Sequence, residues 1–372
     1  MRNTLICTVG TSLLNNLKYA EESIKNVFEE KNWNQLALLL LDQDNSSRIC
    51  GAEINSITSI CNKNLLTSRI RLIFLVSDTE DGKNTGKLLK LYYDNSKNPL
   101  RFKEEVDVRV LGGLRDDDVK AFKQQGLKNL VREISNEVRK FAPEAIAINA
   151  TGGYKAQISF AGMIGQALEI PVYYLFEKFS EVIELPPQPV ALDLAFWLNN
   201  YLVFEQLEGE QIVEKSKVQG NIENNYFNSL IDEEPDGETT LVSLSAMGVL
   251  FNERSRLQFA KQSTTILSLI PQDDTNPERK QINLRDDHGK DILQAFSERI
   301  CNSPYVKKIV NSLPFNPRRT NPIRRTTENG LVEFLLTWTD RGLGLCIETT
   351  GRNLAETNTI ALHLQKEFGE NN

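Results

Sequence analysis

The chain has 372 residues, of which 40% are hydrophobic and 25% charged, and a formal net charge of -7. That is the make-up of a globular protein long enough for two domains and a small third, and its acidic balance excludes a uniformly basic nucleic-acid coat while leaving local basic patches open. Five scattered cysteines (Cys7, Cys50, Cys61, Cys301, Cys346) with no CxxC pair suggest neither a disulfide framework nor a zinc site, and only two histidines, His288 and His363, are available for imidazole chemistry. The opening MRNTLICTVGTS reads as a strand and turn, because polar residues interrupt an apolar run too short for a signal peptide. No run approaches the ~18 apolar residues of a membrane helix. A cytoplasmic protein with reduced thiols, and without a membrane partner, is expected.

Along the chain, TLICTVG (4–10) reads as a buried strand. QLALLLLD (35–42) reads as a second strand, or as the end of a helix leading into one. RIRLIFLVS (69–77), EVDVRVLGG (105–113), EAIAINATGG (144–153) and IPVYYLFE (170–177) supply the remaining strands. Between them LKNLVREISNEVRKF (127–141) places Leu127, Leu130, Val131, Ile134, Val138 and Phe141 on one helical face. Strands alternating with helices predict an α/β fold, a doubly wound and mostly parallel sheet, with ligands at the carboxyl ends of its strands.

ELPPQPV (184–190) marks a boundary. LDLAFWLNNYLVFEQL (192–207) reads as helix, 208–240 as an acidic loop or linker, and LVSLSAMGVLFN (241–252) as apolar again. PQDDTNPE (271–278) is a second boundary. Beyond it, KQINL (280–284) reads as a short strand and 289–313 as one or two helices interrupted at Pro304. PFNPRRTNPIRR (314–325) is a basic loop, 331–338 and 342–350 form a hairpin, and 355–368 is a closing helix. Three segments follow: 1–187, a connector 188–277, and a small α+β module 278–372.

Two turns share one plan, a strand followed by glycine and hydroxyl residues and then a helix: CTVGTSLL (7–14) and NATGGYKAQ (149–157). Glycine lets backbone amides approach a ligand, and a helix N-terminus attracts phosphate. Neither turn matches a Walker loop or GxGxxG. The bland alternative is that the glycines only make tight turns. VGTSLL with NATGGYKA and the following IPVYYLFE resembles a CARF domain of type III CRISPR systems, over about residues 1–185. The resemblance implies a Rossmann-like homodimer that binds a cyclic oligoadenylate, expected as the tetramer cA4, across its two-fold axis. It implies an allosteric activator and no other cofactor. On that pattern Gly10, Thr11 and Ser12 line one part of the pocket, Asn149, Thr151, Gly152, Gly153 and Lys155 line the other, and Ser77, Asp78 and Thr79 form the rim. Some such domains also cleave their ligand, with Lys155 or Ser12 as candidates to help.

Such sensors carry an effector. A HEPN ribonuclease needs Arg, four to six residues, then His. Arg285 is only three residues before His288, and Glu356, Thr357 and Asn358 fill the positions before His363, which excludes it. Residues 307–325 hold Lys307, Lys308, Arg318, Arg319, Arg324 and Arg325 and no acidic residue, a local concentration suited to a phosphate backbone. The order of helices, basic loop, hairpin and closing helix, anchored on IRRTTENGLVEFLL and GLGLCIETTGRN, resembles a RelE-type mRNA interferase over about 280–368. That resemblance implies ribosome-dependent, metal-independent cutting of mRNA by basic side chains. Arg352, Arg324 and Arg325 would clamp phosphate or catalyse. Glu348 (or Glu356) would act as base, and Lys307, Lys308, Arg318 and Arg319 as RNA contacts. The family's C-terminal tyrosine has no counterpart after Tyr305. Three alternatives stand beside this reading: a metal-dependent nuclease on Asp340 and Glu348, a ring nuclease that degrades the cyclic ligand, and a transcription regulator with a winged helix.

Overall fold

The computed structural model describes residues 2–176, 179–188, 192–223, 225–286, 289–315, 322–336 and 342–369. The chain divides into two compact units. The first comprises Met1–Ala191, Asn224–Glu233 and Ser243–Arg254, and the second Leu192–Glu223, Glu234–Val242 and Ser255–Asn372. Residues 188–277 thus supply pieces of both.

The first unit is built on strands β1 (Thr4–Thr8), β2 (Arg71–Ser77), β3 (Asp107–Leu111), β4 (Ile146–Asn149), β5 (Val172–Tyr174) and β6 (Ile183–Leu185) in the order β3-β2-β1-β4-β5-β6. The first five are parallel and β6 joins β5 antiparallel. The expected α/β sheet is therefore present. All five residues of β1 and all four of β4 are buried, as parallel strands covered on both faces require. One face buries Leu5, Cys7 and Phe74 against Leu36, Ile54 and Tyr93 of the helices. The helix Leu127–Phe141 follows the expected stripe, with Leu127, Leu130, Val131, Ile134 and Val138 buried.

Of the two readings of 35–42, the helix holds and the strand does not, and no strand follows directly. The segment belongs to the helix Trp33–Leu41, in which Leu36, Ala37 and Leu40 are buried while Leu38 is 45% exposed. Asn32 caps it by accepting the Gln35 N–H at 3.3 Å. A run of leucines carries no period of two, so the apolar content alone misled. Within the same unit Lys128 pairs with Asp232 at 3.2 Å and Arg254 with Glu169 at 2.8 Å.

In the acidic stretch 208–240, read as loop, lie strands β7 (Val213–Glu214) and β8 (Ile231–Asp236). With β9 (Thr239–Leu244) they make a three-stranded sheet in the order β7-β9-β8. Gly237, at φ +60, sits between β8 and β9. Helices Leu194–Asn199, Tyr201–Glu210, Phe227–Leu230 and Ala246–Leu267 also belong to the middle segment.

The C-terminal part of the second unit has the helix Lys290–Ile300, strands β10 (Val306–Ser312), β11 (Ile323–Thr326), β12 (Leu331–Leu335) and β13 (Gly344–Thr349), and the helix Leu354–Phe368. The strands form an antiparallel sheet in the order β10-β13-β12-β11. The helical reading of 289–313 holds only to Ile300. Past Pro304, VKKIV is rich in β-branched residues and forms an edge strand. KQINL makes a single bridge, Ile282 to Ile309. The hairpin strands pair as expected, and their turn lies outside the described residues. Val332, Phe334, Leu345 and Ile347 are fully buried, and Phe296 of the first helix stacks on Phe334 at 6.0 Å.

Candidate functional site

From β1 the chain runs outward to β2 and β3, then returns to β4 on the other side of β1. The carboxyl ends of β1 and β4 are therefore the switch point of the sheet, where the following helices diverge and leave a crevice. The two glycine turns meet there. A Cβ added to Gly10 would lie 2.8 Å from the Gly153 nitrogen, and one added to Gly152 would lie 3.0 Å from the Gly10 nitrogen. The Thr8 hydroxyl donates to the Gly152 carbonyl at 2.5 Å and ties the turns together from below. Gly153 has φ +111, a conformation that favours glycine.

Asn149, 1% exposed, is the anchor of the second turn. Its Nδ2 donates to the Ser56 hydroxyl at 2.8 Å, and its Oδ1 accepts from Thr151 Oγ1 at 2.7 Å. Thr151 Oγ1 in turn accepts the Leu175 N–H at 3.0 Å, which fixes the turn to the chain after β5. Gln157, fully buried, accepts the Tyr154 N–H at 3.3 Å. Lys155 is exposed at the first position of the helix Lys155–Ala167, directly after the turn. Asn149→Ala strips the hydrogen bonds with Ser56 and Thr151 and a longer one to Cys7 Sγ, and is expected to destabilise the protein by about 3 kcal/mol. Urea denaturation measures it, and a change under about 0.5 kcal/mol would contradict the anchoring role.

Glu53 lies beneath both turns, on the helix Gly51–Asn62, with no exposed surface. Its Oε1 accepts the Gly10 N–H at 2.7 Å, and a Cβ on Gly152 would sit 2.0 Å from that oxygen. Its Oε2 has no hydrogen-bond partner. Burial pushes its pKa up to about 7, against the smaller opposing pull of the Gly10 amide. Ser12, at the start of the helix after β1, accepts the Ala52 N–H at 3.3 Å and joins its turn to the Glu53 helix.

The end of β2 completes the rim. Ser77 and Thr79 hydroxyls are 2.8 Å apart, and Thr79 accepts the Gly82 N–H at 3.0 Å as a helix cap. Asp78 pairs with Lys83 at 2.8 Å, and the hydrogen bond from Lys83 holds its carboxyl below the ordinary range. Tyr154 reaches across from the β4 turn. Its ring meets Phe122 edge-on at 5.5 Å, and burial with the Asp116 carboxylate raises its hydroxyl. The loop after β3 is acidic there, with Asp116, Asp117 and Asp118, of which Asp117 pairs with Arg115 at 2.5 Å.

In the second unit, cross-strand register puts four charged residues on the face of the sheet away from the buried Val332, Phe334 and Ile347. Lys308 stands opposite Glu348, and Arg325 opposite Glu333. Lys308 and Glu348 are 3.1 Å apart, and Arg324 and Glu333 also 3.1 Å. Cys346, opposite Glu333, lies between them. Arg352 follows the end of β13, and its guanidinium grips Glu356 (Nη2 to Oε1 2.6 Å). That hydrogen bond lowers the Glu356 carboxyl and raises the arginine. Lys307 is exposed on β10. Arg318, Arg319, Asp340 and His288 lie outside the described residues.

Residues 48–188 match the model of a CRISPR-associated protein family, Cas_APE2256. The match takes in Glu53, β2 to β6 and the whole β4 turn, and covers less than half of the chain. None of the curated proteins matches. Among solved structures, the chain is similar to Can2 from Sulfobacillus thermosulfidooxidans in complex with cyclic tetra-adenylate (cA4). The identity is 11% over 83% of this chain and 86% of that one, with a TM-score of 0.23. It is also similar to protein VC1899 from Vibrio cholerae, at 12% identity over 82% and 87% with a TM-score of 0.24. Among the described residues no helix is long and apolar enough to cross a membrane, and no group of three or more His, Cys, Asp or Glu could hold a metal ion.

Glu53, Thr8, Tyr154 and Gln157 are parts of the pocket not foreseen from the sequence. Glu53 left a signal: it shares a helical stripe with Cys50, Ile57 and Ile60, all buried, and a carboxylate on such a stripe asks for a reason. The Lys308–Glu348 and Arg324–Glu333 pairs left none, because they depend on the register between strands.

Proposed function

We propose that the first unit is a CRISPR-associated sensor of cyclic oligoadenylate, expected as cA4. In the same proposal it works as a homodimer and switches a ribosome-dependent, metal-independent endoribonuclease in the second unit. One observation carries the sensor half: the two glycine turns abut at the switch point of a parallel sheet, in a segment that largely falls within the CRISPR-associated match. Close backbone approach and a helix start suit phosphates. The acidic loop at Asp116–Asp118 repels them, so the phosphates are assigned to the Gly10, Gly152 and Lys155 side and the Tyr154 ring to an adenine. A ring with two-fold symmetry suits an isologous dimer. The ligand activates by binding one dimer geometry better than the other. For the second unit, the support is the charged sheet face with Lys308, Arg324, Arg325 and Glu348, and Arg352 beyond its end. There the arginines would stabilise phosphate charge, and Glu348 would serve as base.

A second reading has one observation behind it. Glu348 on β13 and Glu333 on adjacent β12 face the same side, with Lys308 against Glu348. Two carboxylates beside a lysine suit a metal-dependent nuclease. The experiment gives purified protein, with and without cyclic tetra-adenylate, an mRNA with and without ribosomes, in EDTA or magnesium. Activator-dependent cutting on ribosomes in EDTA, lost in Arg352→Ala, is expected. Cutting of naked RNA only in magnesium, lost in Glu333→Gln, would replace that reading with the second. Loss of the cyclic ligand with intact mRNA would leave a ring nuclease.

A further inference from the structure

Within the second unit a cleft of about 740 Å³ is lined by Asn199, Asn200 and Asn221 of the middle segment, by Asn329 of the β11–β12 turn, and by Arg352 and Asn358 at the start of the C-terminal helix. That volume falls in the range of sites for small organic ligands. Arg352 and Glu328 are its charged lining residues among those described, and Leu202, Val203 and Leu354 give it an apolar wall. This lining suits a ligand that is polar on one side and has an apolar face for the aliphatic wall.

Asn358 says more. It is 1% exposed, and its Nδ2 donates to the Leu198 carbonyl at 2.7 Å. Its Oδ1 has no partner. A buried acceptor left empty is unfavourable, and a ligand that brings an N–H donor relieves it. Asparagine amides pair with the edges of nucleobases. At the rim, Arg352 holds Glu356 through Nε and Nη2, which leaves Nη1 for an incoming phosphate oxygen.

We propose that this cleft seats one nucleotide of single-stranded RNA, with its base toward Asn358 and its phosphate at Arg352. This rests on the reading of the second unit as acting on RNA, and it adds the place where a strand is gripped and a base is read.

The test is fluorescence anisotropy of the full chain with labelled hexaribonucleotides of A, C, G or U. It is run in EDTA without ribosomes, so that a failure to cut mRNA does not bear on it. Exposed Arg352→Ala is expected to weaken all four about tenfold and to lower the salt slope by about one. Asn329→Ala, also exposed, is expected to alter the preference among the four bases. Asn358→Leu is expected to do so more strongly, with its melting temperature checked against the parent. Binding unchanged by both Arg352→Ala and Asn329→Ala overturns the proposal. So does equal binding of 5′-AMP and the A hexamer, which would make the cleft a mononucleotide site.

Discussion

Gly152→Ala is expected to lower stability by about 3 kcal/mol and to weaken cyclic tetra-adenylate binding at least a hundredfold. The added methyl would sit 2.0 Å from Glu53 Oε1 and 3.0 Å from the Gly10 nitrogen. Neither neighbour gives way easily. Glu53 is fully buried and held by the Gly10 N–H, and Gly10 is backbone. Moving Glu53 breaks its hydrogen bond with that amide, about 1.5–3 kcal/mol, and overpacking adds about 1–3 kcal/mol. The same displacement drags the Gly10 turn away from its partner, which removes the pocket. A double-mutant cycle separates the causes. Glu53→Ala in the Gly152→Ala background makes room for the methyl, so the two changes together should destabilise by less than the sum of each alone. Strict additivity would place the clash elsewhere.

Glu53→Gln is expected to abolish most of the pH dependence of stability between pH 5 and 8. The folded protein holds this proton up to about pH 7, whereas the ordinary value is 4.5. Stability from this group is thus complete below about pH 4.5 and declines as pH rises toward 7, by about 3 kcal/mol in all. Glutamine keeps an acceptor for the Gly10 N–H and carries no charge. The variant should match the parent within about 1 kcal/mol at pH 5 and exceed it at pH 8. The buried neighbours Cys7 and Tyr93 stay neutral across this range, since burial raises both. Ligand binding should follow the same proton. A phosphate set near Gly10 favours the neutral acid, so cyclic tetra-adenylate binds the parent more tightly as pH falls from 8 to 6, and the variant hardly responds. Thermal melts and titrations at four pH values measure both effects, and equal pH slopes in the two proteins would remove Glu53 from the account.

Much of the first unit was legible in order along the chain. Short apolar runs at 5–7, 72–76 and 146–148 mark strands buried on both faces, and the stripe of 127–141 marks its helix. The leucines at 36–41 were ambiguous because composition without period fits strand and helix alike, and packing of one face decided for helix. In the acidic stretch, Ile231 to Leu244 forms a hairpin because strand pairing satisfies backbone groups that local polarity leaves open. Past Pro304 the β-branched residues joined a sheet by pairing with β13, whose partner positions run from Leu345 to Thr349, far along the chain.

INATGGYKAQ and CTVGTSLL were recognisable as glycine turns by local chemistry alone, since glycine, hydroxyl and helix start are close together in the chain. Near neighbours are where propensity, period and turn chemistry act, so most elements of the first unit and both turns could be read from the sequence. The contact between the turns could not. Gly10 follows β1, while Gly152 and Gly153 follow β4, and only the order in which the strands assemble brings them together. The same holds for Glu53, shut beneath the turns, and for Lys308 and Arg324, set against Glu348 and Glu333. These placements came from the folded chain, because strand order and register set which distant residues share a face and how little water reaches them.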